Sequence, residues 1–361
     1  MQTLAILGST GSIGRQTLEV VAAFPKDFKV EAMAAKDEID LILEQIEEFR
    51  PSLVSVADQK TATALSKSAL IKNLGKKAPK IITGSKSLTK IATYAKAKTI
   101  VVAIPGGIAV EAAYQAALAG KTIALATKEV LVADGDRFMS VVRKKKLKVF
   151  PIDSEHSAIA QCLNGENIIN IKRIIITASG GPFRETPKEK LAQMTAKEAL
   201  AHPTWKMGPK ITVDSATLMN KGFEVIEAHY LFDLPFEKIE VVVHPQSVIH
   251  SMVEFVDGSI VAQLGAPDMR VPIQHALFEG KRKTNDFKRL NLEEVGKMTF
   301  FTPDFDKFPC LEYAYAAGSK GSKAGKALND ANDAAVADFL AGKIKFTQIA
   351  ERIQKAIARY L

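Results

Sequence analysis

Across the first 150 residues, short β-rich runs alternate with helical stretches, and this alternation restricts the chain to an α/β architecture more than any other feature. Leu4–Leu7, Phe28–Met33, Leu53–Val56, Ile81–Thr83, Thr99–Ile104 and Thr122–Ala126 have the length and composition of strands. Gln16–Ala23, Ile39–Phe49 and Ala109–Ala119 carry helical patterns between them. A parallel sheet covered by helices on both faces is what such alternation predicts.

From about Val149 the texture changes. Loops rich in glycine, proline and hydroxyls (Thr177–Thr186, His202–Gly208, Asp214–Gly222) separate the strands Ile174–Thr177, Ile239–Val243 and Ile260–Leu264. After Lys283 comes an irregular stretch with Thr302, Pro303, Asp304 and Pro309, then an Ala/Lys-rich helical pattern from Leu311 onward. The expected fold class is α/β, with an N-terminal Rossmann-like parallel-sheet domain, a central α+β catalytic domain and a small C-terminal α-helical domain. The expected division is 1–150 for the first, 151–283 with a lid loop for the second, a linker over 284–310, and 311–361 for the third.

Composition narrows the function classes. Of the 361 residues 47% are hydrophobic and 25% charged, enough apolar material for a sizeable core. No apolar run approaches a membrane span, and the first strand begins too early to leave room for a secretory leader. Cys162 and Cys310 lie far apart with no metal-ligand spacing, which predicts a reducing, cytoplasmic setting. The net charge of +9 invites an anionic partner. Its densest run, Arg143–Lys146, fits a solvated helix C-terminus, however, and no nucleic-acid-binding module accompanies it.

Gly8-Ser9-Thr10-Gly11-Ser12-Ile13-Gly14 falls between a strand and a helix, where glycines permit a tight turn and close approach of a pyrophosphate to a helix N-terminus. The spacing is G-x-x-G-x-x-G. At the end of the second strand a cation would accept an extra ribose phosphate, whereas an acid would bond the free hydroxyl. Ala34-Ala35-Lys36-Asp37 offers both: Lys36 points to NADP and Asp37 away from it.

A second concentration of chemistry begins at Asp153-Ser154-Glu155-His156. If extended, Asp153 and Glu155 share a face and present two hard oxygen ligands to magnesium or manganese. Equally, Asp153 or Ser154 fits the N-cap of a helix around Ser157–Leu163, with Glu155 in its first turn. Lys210–Ala228 adds Asp214, Ser215, Thr217, Asn220, Lys221, Glu224 and Glu227, a set able to hold a phosphate beside a metal. Asn220, Glu224 and Glu227 share one helical face. Ser179-Gly180-Gly181 suits an anion. Trp205, the sole tryptophan, sits in a loop with His202, where it closes over a substrate or anchors the loop.

Together these segments resemble the 1-deoxy-D-xylulose 5-phosphate reductoisomerase family. The resemblance rests on GSTGSIG (Gly8–Gly14), ATKE (Ala126–Glu129), DSEH (Asp153–His156), SGGPFRETP (Ser179–Pro187) and HPTWKMG (His202–Gly208). VDSATLMNKGFE (Val213–Glu224), HPQSVIHSMV (His244–Val253) and PDMR (Pro267–Arg270) extend it over roughly residues 1–345. It implies metal coordination by Asp153, Glu155 and Glu224, and phosphate binding by Ser179, Ser215, Asn220 and Lys221. Ser154 would bind substrate near the metal, together with Glu155 and Glu224, and Lys128 and Glu227 would lie close by, with Lys128 counted among the catalytic residues. His202, Trp205 and Met207 would form the lid. Gly8, Thr10, Gly11, Ser12, Ile13, Ala35, Lys36, Asp37 and Ala103 would line the nucleotide cleft, with Thr127, Lys128, Glu129, Gly208 and Met269 toward the nicotinamide. The implied reaction breaks and remakes a carbon–carbon bond and then reduces the resulting aldehyde to 2-C-methyl-D-erythritol 4-phosphate. NADPH and a divalent metal (magnesium, manganese or cobalt) are its implied cofactors, and a homodimer its implied assembly, with neither nucleic acid nor membrane as partner.

Three departures stand out. Ala35 and Asp37 replace the family's usual glycine and asparagine around Lys36; Thr127 and Val130 replace asparagine and serine around Lys128-Glu129; and the chain stops at Leu361, which predicts a C-terminal bundle with its last helices missing or simplified. The first two motivate an alternative, a catalytically silent NADP-binding sensor of the same fold.

Overall fold

The computed structural model describes residues 1–205 and 207–361; Lys206 of the HPTWKMG segment lies outside the described residues. In chain order the first elements are β1 (Gln2–Leu7), α1 (Ser12–Ala23), β2 (Phe28–Ala34), α2 (Ile39–Phe49), β3 (Leu53–Ser55), α3 (Gln59–Lys67) and α4 (Ala69–Leu74). There follow β4 (Lys80–Ile82), α5 (Ser87–Ala92), β5 (Thr99–Val102), α6 (Ile108–Leu118), β6 (Thr122–Leu125), α7 (Glu129–Lys145) and β7 (Val149–Pro151). Next are α8 (Ser154–Cys162), β8 (Ile171–Ala178), α9 (Ala196–Ala199), α10 (Pro209–Ala216), α11 (Met219–Phe232), β9 (Ile239–Val243), β10 (Ile249–Phe255) and β11 (Ile260–Leu264). The chain ends with α12 (Arg270–Leu277), α13 (Leu292–Val295), α14 (Cys310–Gly318), α15 (Ser322–Leu340) and α16 (Thr347–Ile357).

Two compact units result. The first contains Met1–Val130, Arg137–Asp153 and Met269–Asp286; the second contains Leu131–Asp136, Ser154–Asp268 and Phe287–Leu361. The first is built on a seven-stranded sheet of order β4-β3-β2-β1-β5-β6-β7, parallel throughout. Leu4–Leu7 of β1 and Ile100–Val102 of β5 are fully buried, as strands covered on both faces require. The strand order reverses between β1 and β5, which places the nucleotide crevice of such a fold at their carboxyl ends. Returning late in the sequence, α12 packs beside α1, and Phe278 meets Phe24 and Phe28 edge-on at 5.0 and 4.7 Å.

The second unit has a four-stranded sheet, β11-β10-β8-β9, in which β8 and β9 run parallel and β10 is antiparallel to β8 and β11. Helix α8 lies against β10 and β11, while α14 packs against α11 and α15, and α15 against α16. The α/β class and the helical C-terminal region are as expected from the sequence.

One local expectation is overturned, and one open alternative is decided. Asp214–Gly222, expected as a loop from its hydroxyl, asparagine and glycine content, lies in α10 and α11, which meet at Leu218 in the left-handed region (φ 60°). Burial decides: all of Asp214–Gly222 except Ser215 and Asn220 is buried, and packing outweighs weak helix propensity. Likewise Asp153–Glu155 is not extended, because α8 starts at Ser154 with Glu155 in its first turn. The helical alternative describes that segment.

Candidate active site

In the first unit the glycine turn is built by close approach. Gly8 has φ 93°, and a Cβ there would come within 2.7 Å of the Ala103 carbonyl oxygen. A Cβ at Gly14 would stand 2.0 Å from the Gly8 carbonyl oxygen, so only glycine lets α1 begin this near the turn. The amides of Gly8 and Ser9 both donate to the Ala34 carbonyl, at 2.8 and 2.9 Å, tying the turn to the end of β2. Gly11 occupies the N-cap of α1 and offers no side chain there, which leaves the first amides of the helix for an anion. Thr10 is buried, Ile13 half-buried and Ser12 exposed; Ala35, half-buried, precedes the exposed Lys36 and Asp37 just beyond β2.

Thr127 and Glu129, two positions implied to face the nicotinamide, brace the neighbouring loop. Thr127 Oγ1 donates to the carbonyls of Val102 (3.2 Å) and Ile104 (2.8 Å), and Glu129 Oε1 accepts from the Gly106 amide at 3.2 Å. This pins the stretch holding Ala103 beside Gly8. Met269 stands at the N-cap of α12 in the same unit, whereas Gly208 caps α10 in the second. Lys128, at the start of α7, makes a close ion pair with Asp153, both nearly buried.

The second unit gathers Glu155 and Glu224 around one ammonium group. Lys221 Nζ lies 2.9 Å from Glu155 Oε1 and also pairs closely with Glu224. Burial pulls the Lys221 pKa down, but these two carboxylates outweigh it and hold the ammonium above its ordinary value. Asn220 Nδ2 donates to Glu224 Oε1 at 2.7 Å, the i,i+4 contact of an α-helix, and Ser154 Oγ donates to Glu155 Oε2 at 2.5 Å. Glu155 and Glu224 each offer a carboxylate oxygen within 4.8 Å of the other. Hard oxygen donors at this separation suit magnesium or manganese, and both come from the helices α8 and α11 rather than from loops.

Ser179 and Ser215 meet through Gly181. Its left-handed backbone (φ 70°) sits so close to α10 that a Cβ would be 2.5 Å from the Ser215 carbonyl oxygen. His202 Nδ1 accepts from the amides of Thr204 (3.2 Å) and Trp205 (2.9 Å), so the neutral ring carries its proton on Nε2, 3.0 Å from Ser179 Oγ. Ser179 Oγ thus accepts from His202 and from the Gly181 amide at 3.2 Å, leaving its own proton to donate to an anion. Burial lowers the pKa of His202, which favours the neutral ring this arrangement needs. Trp205 lies in the loop with its ring 6.3 Å from that of His250.

Some contacts escaped the sequence reading. His156, fully buried, donates from Nε2 to the Glu224 carbonyl at 2.8 Å and places Nδ1 3.4 Å from Glu227. Its signal was positional: it follows Glu155 directly, on what proves to be a helix. Asp214 is buried, taking hydrogen bonds from Lys210 at 2.8 Å and Asn332 at 2.7 Å. Burial, and then the Asp214 charge, push the Cys310 thiol up to about 12. An asparagine pair (Asn329, Asn332) inside an alanine-rich helix was the available clue, because asparagine is a poor helix former.

A parallel sheet with a glycine turn at its switch point, in a chain whose second unit pairs two acids on one lysine, defines an enzyme built on a dinucleotide-binding α/β fold. Comparison with known proteins sharpens this. Family models match at residues 4–135 (1-deoxy-D-xylulose 5-phosphate reductoisomerase), 149–232 (its C-terminal domain) and 264–360 (DXP reductoisomerase C-terminal domain). The 1-deoxy-D-xylulose 5-phosphate reductoisomerase of Geotalea uraniireducens is 50% identical over 99% of this chain and 91% of its own length. That of Caldanaerobacter subterraneus is 48% identical over 100% and 93%. A solved reductoisomerase from Zymomonas mobilis, in complex with NADPH, superposes with a TM-score of 0.92 at 39% identity, covering 100% of this chain and 92% of that one. A second, in complex with NADPH, fosmidomycin and magnesium, gives 0.93 at 41% identity over 99% and 89%. The chain belongs to the 1-deoxy-D-xylulose 5-phosphate reductoisomerase family.

Proposed function

We propose that this protein converts 1-deoxy-D-xylulose 5-phosphate to 2-C-methyl-D-erythritol 4-phosphate, using NADPH and a divalent metal. The observation that carries the reading is the convergence of Glu155 and Glu224 on Lys221, with Asn220 and Ser154 bonded to the same carboxylates. In this reading Glu155 and Glu224 hold the metal. Asp153 completes the set from two residues before Glu155, a chain reach of at most about 7 Å. When bound, the metal supplies Lewis-acid stabilisation of the oxygens that gain charge as the carbon–carbon bond breaks.

The chain's own residues bind and orient the substrate. Ser179 donates its hydroxyl proton to the phosphate, joined by Ser215, Asn220 and the positive charge of Lys221. Ser154 reaches the substrate from the first turn of α8, beside the metal ligands. The His202–Trp205 loop acts as the lid that excludes water from the reacting carbons. Lys128, paired with Asp153, fixes the orientation of that carboxylate. The glycine-turn cleft would hold NADPH, with Lys36 taking the extra phosphate and Thr127 and Glu129 holding the loop at Ala103, and the cofactor would supply the hydride. The silent-sensor alternative is not favoured, because a sensor has no use for the acid–lysine cluster.

Assembly and compartment belong to the same reading. Edge strand β11 exposes Ile260 and Val261, an apolar rim suited to a second copy of the chain. Sedimentation at a monomer's 39.2 kDa would refute the homodimer. No helix among the described residues is long and apolar enough to cross a membrane, and the free, buried Cys162 and Cys310 suit a reducing cytoplasm.

The test is to mix the protein with 1-deoxy-D-xylulose 5-phosphate and NADPH, with and without magnesium or manganese, and follow nicotinamide absorbance and product. Metal-dependent oxidation giving 2-C-methyl-D-erythritol 4-phosphate is expected. Folded protein that binds NADPH but turns nothing over would overturn the reading.

A further inference from the structure

Asn332 is fully buried in the middle of α15, although asparagine weakens a helix interior by competing for backbone hydrogen bonds. Its amide donates to Asp214 Oδ1 at 2.7 Å, while Lys210 takes Oδ2 at 2.8 Å and is itself balanced by Asp333 at 3.1 Å. Asp214 is only 2% exposed, so a lost donor leaves a buried carboxylate oxygen without a partner, a costly state. The same residue also holds the bend between two helices. Its carbonyl accepts from Thr217 Oγ1 at 3.2 Å, and that oxygen accepts in turn from the amide of Met219, the first residue of α11, at 3.3 Å. Between them Leu218 adopts the left-handed conformation, which a leucine holds only where its surroundings fix it.

We propose that Asn332 is a positioning residue for substrate phosphate: by holding Asp214 it fixes the α10–α11 corner, and with it the spacing of Ser215 from Asn220 and Lys221. Ser215 is the neighbour of Asp214, and Asn220 and Lys221 follow one and two residues after Met219. The path Asn332–Asp214–Thr217–Met219 therefore runs behind all three phosphate-binding residues and includes none of them. This rests on the reading of those three residues as phosphate ligands.

The test compares Asn332→Leu, of similar size but without a donor, with Thr217→Val, which cuts the same path while leaving Asp214 its side-chain partners. For each, KM and kcat are measured with 1-deoxy-D-xylulose 5-phosphate, together with dissociation constants for inorganic phosphate and for NADPH. Both variants should raise KM and weaken inorganic phosphate by about tenfold or more, the usual scale for losing a supporting hydrogen bond behind a ligand set. Values of kcat and NADPH affinity should stay within about threefold of the parent, below the 1.4 kcal/mol of a tenfold change. The swapped pair Asp214→Asn/Asn332→Asp, which restores the bond with its roles reversed, should recover part of the phosphate affinity. Folded variants with unchanged KM and phosphate affinity, or with losses shared equally by NADPH, would overturn the proposal. Should Asn332→Leu not fold, Thr217→Val decides by the same readings. Failure of the underlying functional reading would appear separately, as an unaltered chain that neither turns over the sugar phosphate nor binds phosphate.

Discussion

Replacing Gly14 by alanine tests the nucleotide cleft where its geometry is tightest. The added Cβ would lie 2.0 Å from the Gly8 carbonyl oxygen and 2.7 Å from the Cα of Ser9. Non-bonded heavy atoms meet at roughly 3.5 Å, so the first contact is ~1.5 Å too short. Both obstacles are backbone, and no rotamer change relieves them. Overpacking of this kind costs about 3 kcal/mol at the upper end of its usual range. Alanine recovers about 1 kcal/mol over glycine inside a helix, leaving a net cost of about 2 kcal/mol. If the turn and the start of α1 move apart to relieve the clash, NADPH binding must restore their spacing and weakens about 30-fold, since 1.4 kcal/mol is a factor of ten. If they do not move, the same cost appears as lost stability. Titration calorimetry with NADPH and differential scanning calorimetry therefore read one quantity between them. Arg15→Ala, on the exposed side of the same turn, should change neither. A Gly14→Ala protein with parental NADPH affinity and parental melting temperature would refute the packing argument.

Glu224→Gln should cut turnover by about a thousandfold or more, the effect of losing several kcal/mol of metal-assisted charge stabilisation, yet leave NADPH affinity unchanged; near-parental turnover would remove Glu224 from the ligand set. Lys36→Ala should weaken NADPH by about tenfold or more and NADH little, since a charge-assisted hydrogen bond contributes roughly 1.5–3 kcal/mol; equal losses would exclude contact with the extra phosphate. The lid should respond to pH through His202. Because burial lowers its folded pKa, the unfolded chain binds the proton more readily. The loop arrangement is therefore fully favoured above the unfolded value of about 6.5 and is lost as pH falls below it. Emission from Trp205, the single tryptophan, should report that loss with a midpoint below 6.5, and His202→Gln should abolish the transition; an unchanged profile in the variant would assign it elsewhere.

The first unit was largely legible because β1, β5 and β6 carry continuous apolar runs between helical patterns. The limits expected for α2, Ile39–Phe49, coincide with those observed, as do those of β9 and β11. The acid-rich region was legible as chemistry rather than as shape. Asp214, Ser215, Thr217 and Asn220 have side chains typical of turns, and only their burial against neighbouring helices makes them helical. Ion pairs such as Lys221 with Glu155 join residues far apart in sequence, and no local pattern encodes such a pairing. The buried asparagines of α15 were visible in the sequence, but their partner Asp214 was not.

The late return of Met269–Asp286 to the first unit bears on the order in which the chain is made. Synthesis normally lets an N-terminal domain fold as soon as it has emerged. Here the surface of α1 and the ring edges of Phe24 and Phe28 wait for Phe278, which the ribosome releases only after all four strands of the second unit's sheet have been produced. The nascent dinucleotide-binding sheet is thus exposed on one flank for much of translation, a built-in interval in which chaperones have something to hold.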